Sequence, residues 1–215
     1  RAWEYVHDEA IGETVRRARQ VPVLINYSVG KKRFEKVPDA DDLDLIQRIE
    51  MKSIPYWYPT DELPDGYNTK QPKKSHGITH VHQFYYKRPL YLLSKIFSVL
   101  NNTQSPNLNY LKYTFDQTIF GLSKLNRYGP THYSQVNRML SGTLYIGSQV
   151  SEVSLPYLIS GKINRLKKAL ESYKKTDSHN CITTQSSSRI NAIPQDSIDY
   201  IFTDPPFGGN LMYSE

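Results

Sequence analysis

The stretch Ser197-Ile198-Asp199-Tyr200-Ile201-Phe202-Thr203-Asp204-Pro205-Pro206-Phe207-Gly208-Gly209 (SIDYIFTDPPFGG) decides the reading of this chain. Residues 198–203 alternate too little to leave one face polar. They predict a strand that is apolar on both faces and internal to a sheet. In open α/β sheets, ligands bind outside the carboxyl ends of the strands, and Asp204-Pro205-Pro206-Phe207 stands at such an end. A carboxylate there accepts hydrogen bonds from an amine. Two prolines fix the backbone and remove its N–H groups, leaving an acceptor-only edge. Phe207 offers a face for stacking, and Gly208-Gly209 lets the chain turn tightly beside a ligand.

Upstream, Cys181–Thr184 predicts a second short strand, and residues 185–195 a polar connection. Before them, Ile163, Leu166, Leu170 and Tyr173 mark a helix. Its other face carries Lys162, Arg165, Lys167, Lys168, Lys174 and Lys175, a solvated surface first and a phosphate contact second. A helix followed by two strands suggests βαβ organisation and a largely parallel sheet, an α/β fold. Further back, Thr143–Gly147 predicts a short strand. Leu108, Leu111, Phe115, Ile119 and Leu122 predict a helix over 108–125. Leu90, Leu93, Ile96, Phe97 and Leu100 predict another, with Pro89 in its first turn.

The N-terminal third is organised differently. Val6, Ala10, Ile11, Val15 and Ala18 form a thin stripe that predicts a polar helix over residues 1–20. Val23–Tyr27 and Arg33–Val37, either side of Gly30, predict a hairpin. Asp39-Ala40-Asp41-Asp42 opens a helix running to about Glu50, with its acidic residues at the positive end. Residues 53–77 predict a long loop, broken by Pro55, Pro59, Pro64, Pro72, Gly66 and Gly77. It carries Tyr56, Trp57, Tyr58, Tyr67, Lys70, Lys73 and Lys74. Interleaved aromatics and lysines suit a nucleic-acid strand, though such residues also pack on their own domain or remain solvated. The expected division is an N-terminal region over 1–77, with helix, hairpin and basic aromatic loop, and a second unit over 78–215.

Composition narrows the classes. The chain has 215 residues with 27 Lys+Arg against 21 Asp+Glu, a formal charge of +6, which is compatible with a polyanionic partner. Tyrosine is used 17 times. A single cysteine, Cys181, excludes an intrachain disulfide and makes a cytoplasmic setting the expectation. No apolar run is long enough to span a membrane. One cysteine makes no zinc ribbon, and His80 and His82 have no obvious third ligand, so no metal is expected. Both ends look cut, so the chain reads as part of a longer protein.

SIDYIFTDPPFGGNLMYSE resembles the catalytic segment of the amino-group DNA methyltransferases, which modify adenine N6 or cytosine N4. ITTQSSSRINAIPQDSIDYIFTDPPF is similar to the segment leading into it. GITHVHQFYYKRPLYLLSKIF and IPYWYPTDELPDGYN resemble a branch of large bacterial and archaeal adenine-specific methylases, so the likeness covers about residues 20–215. The resemblance implies a partial Rossmann-like methyltransferase sheet with helices, truncated after Phe207, beside a small N-terminal hairpin and helix region. It implies S-adenosylmethionine as methyl donor and DNA as partner, with the target base flipped into the pocket. Asp204, aided by the Pro205 carbonyl, would orient the target amine, Pro206 would stiffen the loop, and Phe207 would stack on the base. Thr184 and Gln185 would lie near the cofactor. Lys70, Lys73, Lys74, Lys87 and Arg88 would meet phosphates. The chain departs from the family in one large respect: it lacks the Phe-x-Gly-x-Gly-like cofactor loop, for Gly142, Gly147 and Gly161 are isolated. Two alternatives stand beside this reading. One is a non-catalytic nucleic-acid-binding piece; the other is a methyltransferase acting on RNA or protein glutamine, whose loops usually begin with Asn.

Overall fold

Gly12, at φ +70°, settles the first twenty residues, since a helix cannot pass through a left-handed residue. The computed structural model describes residues 2–131, 136–137, 139–140, 142–172, 186, 188–190 and 193–204. In it the predicted N-terminal helix is instead a hairpin of β1 (Trp3–Asp8) and β2 (Glu13–Ala18). The register pairs Val6 with Val15 and Trp3 with Ala18. Val6 and Val15 therefore share a face because they are cross-strand partners, not because they lie on one helical stripe. The loop between the strands closes with the Gly12 N–H on the Asp8 carbonyl, 2.9 Å away.

The second hairpin is as predicted, displaced by a residue or two: β3 (Ile25–Val29) pairs with β4 (Lys32–Lys36). Helix α1 (Ala40–Glu50) also follows the sequence. Asp39 caps it, accepting the Asp42 N–H at 3.0 Å while the Asp42 side chain accepts the Asp39 N–H at 3.0 Å. This reciprocal pair satisfies two N–H groups that a helix start leaves open.

The predicted loop over 53–77 is half helix. Residues Tyr67–His76 form α2, with Pro72 inside it. Proline removes one backbone hydrogen bond from a helix interior. Tertiary burial offsets that loss: Asn68, Thr69, Pro72 and His76 all face inward. Gly77, at φ +70°, ends the helix, its N–H returning to the Lys73 carbonyl. The extended part is pinned by three consecutive rings. Tyr56 meets Tyr91 edge-on at 5.9 Å, Trp57 meets Phe97 at 5.2 Å and Tyr58 meets His82 at 5.9 Å.

Helices α3 (Lys87–Asn101), α4 (Leu108–Ile119) and α5 (Leu155–Ser172) form the helical body. The second ends earlier than its stripe suggested, giving way to a 3-10 turn over Phe120–Leu122. The third starts eight residues before Ile163. Its packing residues are Leu155, Leu158 and Ile159, whereas Ile163 and Leu170 are exposed. Leu93, Leu100, Phe115, Leu122 and Leu155 make one core cluster. Leu63, Ile78, Phe84, Leu125 and Ile146 make another, and Tyr85 packs against both.

Two predicted strands are corrected. Thr143–Gly147 is not a strand. Its fully buried Ile146 directs its N–H to the Gln71 side-chain oxygen, 3.4 Å away, so a side chain takes the bond a ladder would use. The ladder contact in this region falls at Val150, opposite Arg127. The segment 198–203 is not a strand, and it is not internal: Tyr200 and Phe202 are each 80% exposed. A strand is held by ladder bonds to a neighbour and by burial of its faces, and no described strand lies beside this one. The predicted strand Cys181–Thr184 lies outside the described residues. The fold is thus mixed helix and strand. Every strand pairing among the described residues is antiparallel, in three two-stranded sheets, the third being β5 (Arg127–Tyr128) with β6 (Val136–Asn137).

Candidate functional site

Asp204 lies on an exposed arm, residues 198–204. The arm leaves a turn in which Ser197 donates its hydroxyl to the Pro194 carbonyl at 2.7 Å and Asp196 takes a left-handed φ of +59°. From Ile198 to Asp204 every residue is exposed, and the chain bends at Asp199. The Asp204 carboxylate is therefore open to a ligand rather than tied into the core. Pro205, Pro206 and Phe207 lie outside the described residues, as do Thr184 and Gln185.

The five basic candidates fall into two groups. Lys70 and Lys74 are exposed on α2, and with the exposed Tyr67 they recur at one-turn spacing along one face. Lys73 points elsewhere. Its ammonium donates to the Leu63 carbonyl at 2.8 Å and pairs with Asp65 at 2.7 Å, which holds the Asp65 carboxyl below its usual value. Lys87 donates to the Glu50 carbonyl at 2.7 Å, and Arg88 forks onto Glu152. These three serve internal contacts, so the tertiary structure does not assemble the five into one patch.

Two polar clusters escape sequence reasoning. In the first, the Asp8 carboxylate accepts from His82 Nε2 at 2.9 Å, from Gln83 Nε2 at 2.9 Å and from the Ala10 N–H at 3.1 Å. Burial works to raise the Asp8 pKa. The bonds from Gln83 and His82, the His82 charge and the Ala10 N–H outweigh it and hold the carboxyl below its usual value. His82 is almost fully buried, and its Nδ1 has no hydrogen-bond partner among the described residues. Asp8 thus locks the first hairpin to the body across 74 residues of chain. No sequence signal announces this pair, because its members meet only in the fold. His80 lies 5.8 Å from His82, ring to ring, and among the described residues no three His, Cys, Asp or Glu side chains gather to hold a metal.

In the second cluster, the Lys124 ammonium donates to the Gln83 carbonyl at 2.7 Å and stands 5.1 Å over the Tyr86 ring. Burial pushes its pKa down to about 8, and Arg17 lowers it further against the opposing pull of Glu50, Glu152 and Glu4. Burial likewise pushes Tyr86 up to about 12.

Neither Gly121 nor Gly147 offers a cradle for S-adenosylmethionine: Gly121 is packed against Leu158 and Gly147 against Arg127. An open cleft of about 390 Å³ is lined by Trp57, Phe97, Ser98, Asn101 and Asn102, and another of about 470 Å³ by α5 residues including Ile163 and Leu170. Neither includes Asp204. Among the described residues no helix is long and apolar enough to cross a membrane. No protein-family model, curated protein or solved structure matches this chain.

Proposed function

We propose that this chain carries the base-binding loop of a DNA methyltransferase acting on an exocyclic amine, adenine N6 in preference to cytosine N4. The observation that carries the reading is the sequence Asp204-Pro205-Pro206-Phe207 behind a run of β-formers. The exposure of Asp204 agrees with it, since a carboxylate that orients a substrate amine has to be free of the core. In this reading Asp204 accepts a hydrogen bond from the target amine, which directs the nitrogen lone pair toward the incoming methyl group. Positioning of that kind supplies rate without covalent chemistry by the protein. The Pro205 carbonyl would take the second amine hydrogen, and Phe207 would stack on the flipped base. S-adenosylmethionine is the donor the resemblance implies. A partial Rossmann-like sheet belongs to the same reading.

The test is methyl incorporation from labelled S-adenosylmethionine into unmodified genomic DNA, followed by nucleoside analysis. Asp204→Ala in the full-length protein should abolish incorporation while folding and non-specific DNA binding persist. Wild-type incorporation by a folded Asp204→Ala protein would reject the role. The lack of a Phe-x-Gly-x-Gly-like cofactor loop in the sequence favours a second reading, a nucleic-acid-binding piece without catalysis. DNA binding with no incorporation by the unsubstituted full-length protein would select it.

A further inference from the structure

The second hairpin is built unlike the first. β1 and β2 are seated on the body through Asp8 and the buried Ala18. β3 and β4 expose every residue except Ile25 and Lys36 at their base, and none joins either core cluster. The base is anchored by Lys36, which pairs with Asp39 at 3.0 Å and Asp42 at 2.7 Å at the start of α1. From there the ribbon projects. Gly30, at φ +61°, makes its tight turn. Isolated two-stranded hairpins are marginal in water, so a protruding one that buries little of itself is a costly feature unless something else covers it.

The residues on the ribbon indicate what covers it. Lys31, Lys32 and Arg33 crowd the tip, all exposed, and Glu35 is the only acidic residue from Ile25 to Lys36. The register puts Val29 opposite Lys32 and Tyr27 opposite Phe34 on one face. The two rings stack at 5.5 Å yet stay 42% and 40% exposed. The other face pairs Asn26 with Glu35 and Ser28 with Arg33, so it is polar throughout. A basic tip ahead of an exposed aromatic pair complements a polyanion. The dimensions agree as well. Five-residue strands rising about 3.3 Å per residue reach roughly 13 Å, and two strands lie about 5 Å apart. The major groove of B-form DNA is about 12 Å wide and 8.5 Å deep and admits a two-stranded ribbon.

We propose that the ribbon Ile25–Lys36 is a duplex-DNA grip that enters the major groove tip first, Lys31, Lys32 and Arg33 meeting the phosphates that wall it. The choice of DNA as polyanion rests on the methyltransferase reading; the ribbon's geometry does not. The test measures binding alone, so it can fail separately from the Asp204 experiment. A labelled 30-base-pair duplex is titrated with the whole chain by fluorescence anisotropy across a salt series. The triple variant Lys31→Gln, Lys32→Gln, Arg33→Gln should weaken binding roughly tenfold or more near 0.1 M salt. It should also flatten the log affinity against log salt slope by about 0.9 for each phosphate that is no longer neutralised, up to about 2.7. Its circular dichroism should match the parent's, which separates a lost grip on DNA from a lost fold. Lys31→Arg with Lys32→Arg should restore both affinity and slope. Unchanged affinity and slope in the triple variant would overturn the proposal, as would a parent chain that ignores the duplex. So would tighter binding to A-form duplex RNA, whose major groove does not admit the ribbon, or capture by anionic phospholipid vesicles alone.

Discussion

Gly77→Ala isolates the steric part of how the first hairpin is seated. Gly77 and Gly12 share a φ of +70°, so alanine at either site incurs the same left-handed backbone penalty, about 1–2 kcal/mol. Around Gly12 nothing lies within 4 Å of an added Cβ. At Gly77 the new Cβ would run into the Arg16 carbonyl oxygen, 3.0 Å from the Arg16 carbon and 3.2 Å from Arg17 Cα. These are backbone atoms of β2, which cannot swing aside as a side-chain tip does. Relief requires β2 to lift, which strains the Asp8–His82 and Asp8–Gln83 bonds and uncovers Ala18. Losing one charge-assisted bond of this kind costs about 1.5–3 kcal/mol. Gly77→Ala should therefore destabilise the protein by about 3–5 kcal/mol, against about 1–2 for Gly12→Ala. Urea denaturation of the parent and both variants, followed by tryptophan fluorescence and circular dichroism, reads the difference. Equal losses at the two glycines would refute the seating of β2 on the end of α2.

Other outcomes follow from the same structure. Lys124, with its pKa pushed down to about 8, is neutral in the fold while still protonated in the unfolded chain between about pH 8 and its ordinary 10.5. The unfolded state then binds more protons, so stability should rise from pH 8 toward pH 10, by up to about 3 kcal/mol for a shift of this size; above pH 10, ionisation of unfolded Tyr85 and Tyr86 should reverse the trend. Thermal melts should show the rise in the parent and its absence in Lys124→Met. Asp8→Asn should cost about 1–3 kcal/mol at pH 7. The depressed carboxyl contributes its stability above the unfolded pKa and loses it as pH falls through the folded value, so parent and variant should converge in acid, by denaturant titration at pH 7 and pH 3. Isothermal titration of the chain with S-adenosylmethionine should show no micromolar binding, since the sequence lacks the Phe-x-Gly-x-Gly-like cofactor loop; micromolar or tighter affinity would sink that expectation.

Where a structural signal is complete within a few residues, the sequence alone was enough. Pro38-Asp39 with Asp42 starts α1 because the cap is made by neighbours along the chain. Lys87, Pro89 and the Leu90-Leu93-Leu100 spacing define α3, and β-formers around Gly30 define the second hairpin, whose turn is its own. Tertiary structure decided the rest. Val6, Ala10, Val15 and Ala18 satisfy a helical stripe on paper. They form a hairpin because Asp8 finds His82 and Gln83, and because β2 seats its backbone against Gly77. Tyr67–His76 is helical despite Pro72 because Asn68, Thr69, Pro72 and His76 are buried together, compensating for the bond that proline removes. Ile146 forgoes a ladder because Gln71, 75 residues away, takes its N–H. Residues 198–203 have the composition of an inner strand, but a strand is a relation between segments, and its composition cannot supply the neighbour that would bury it.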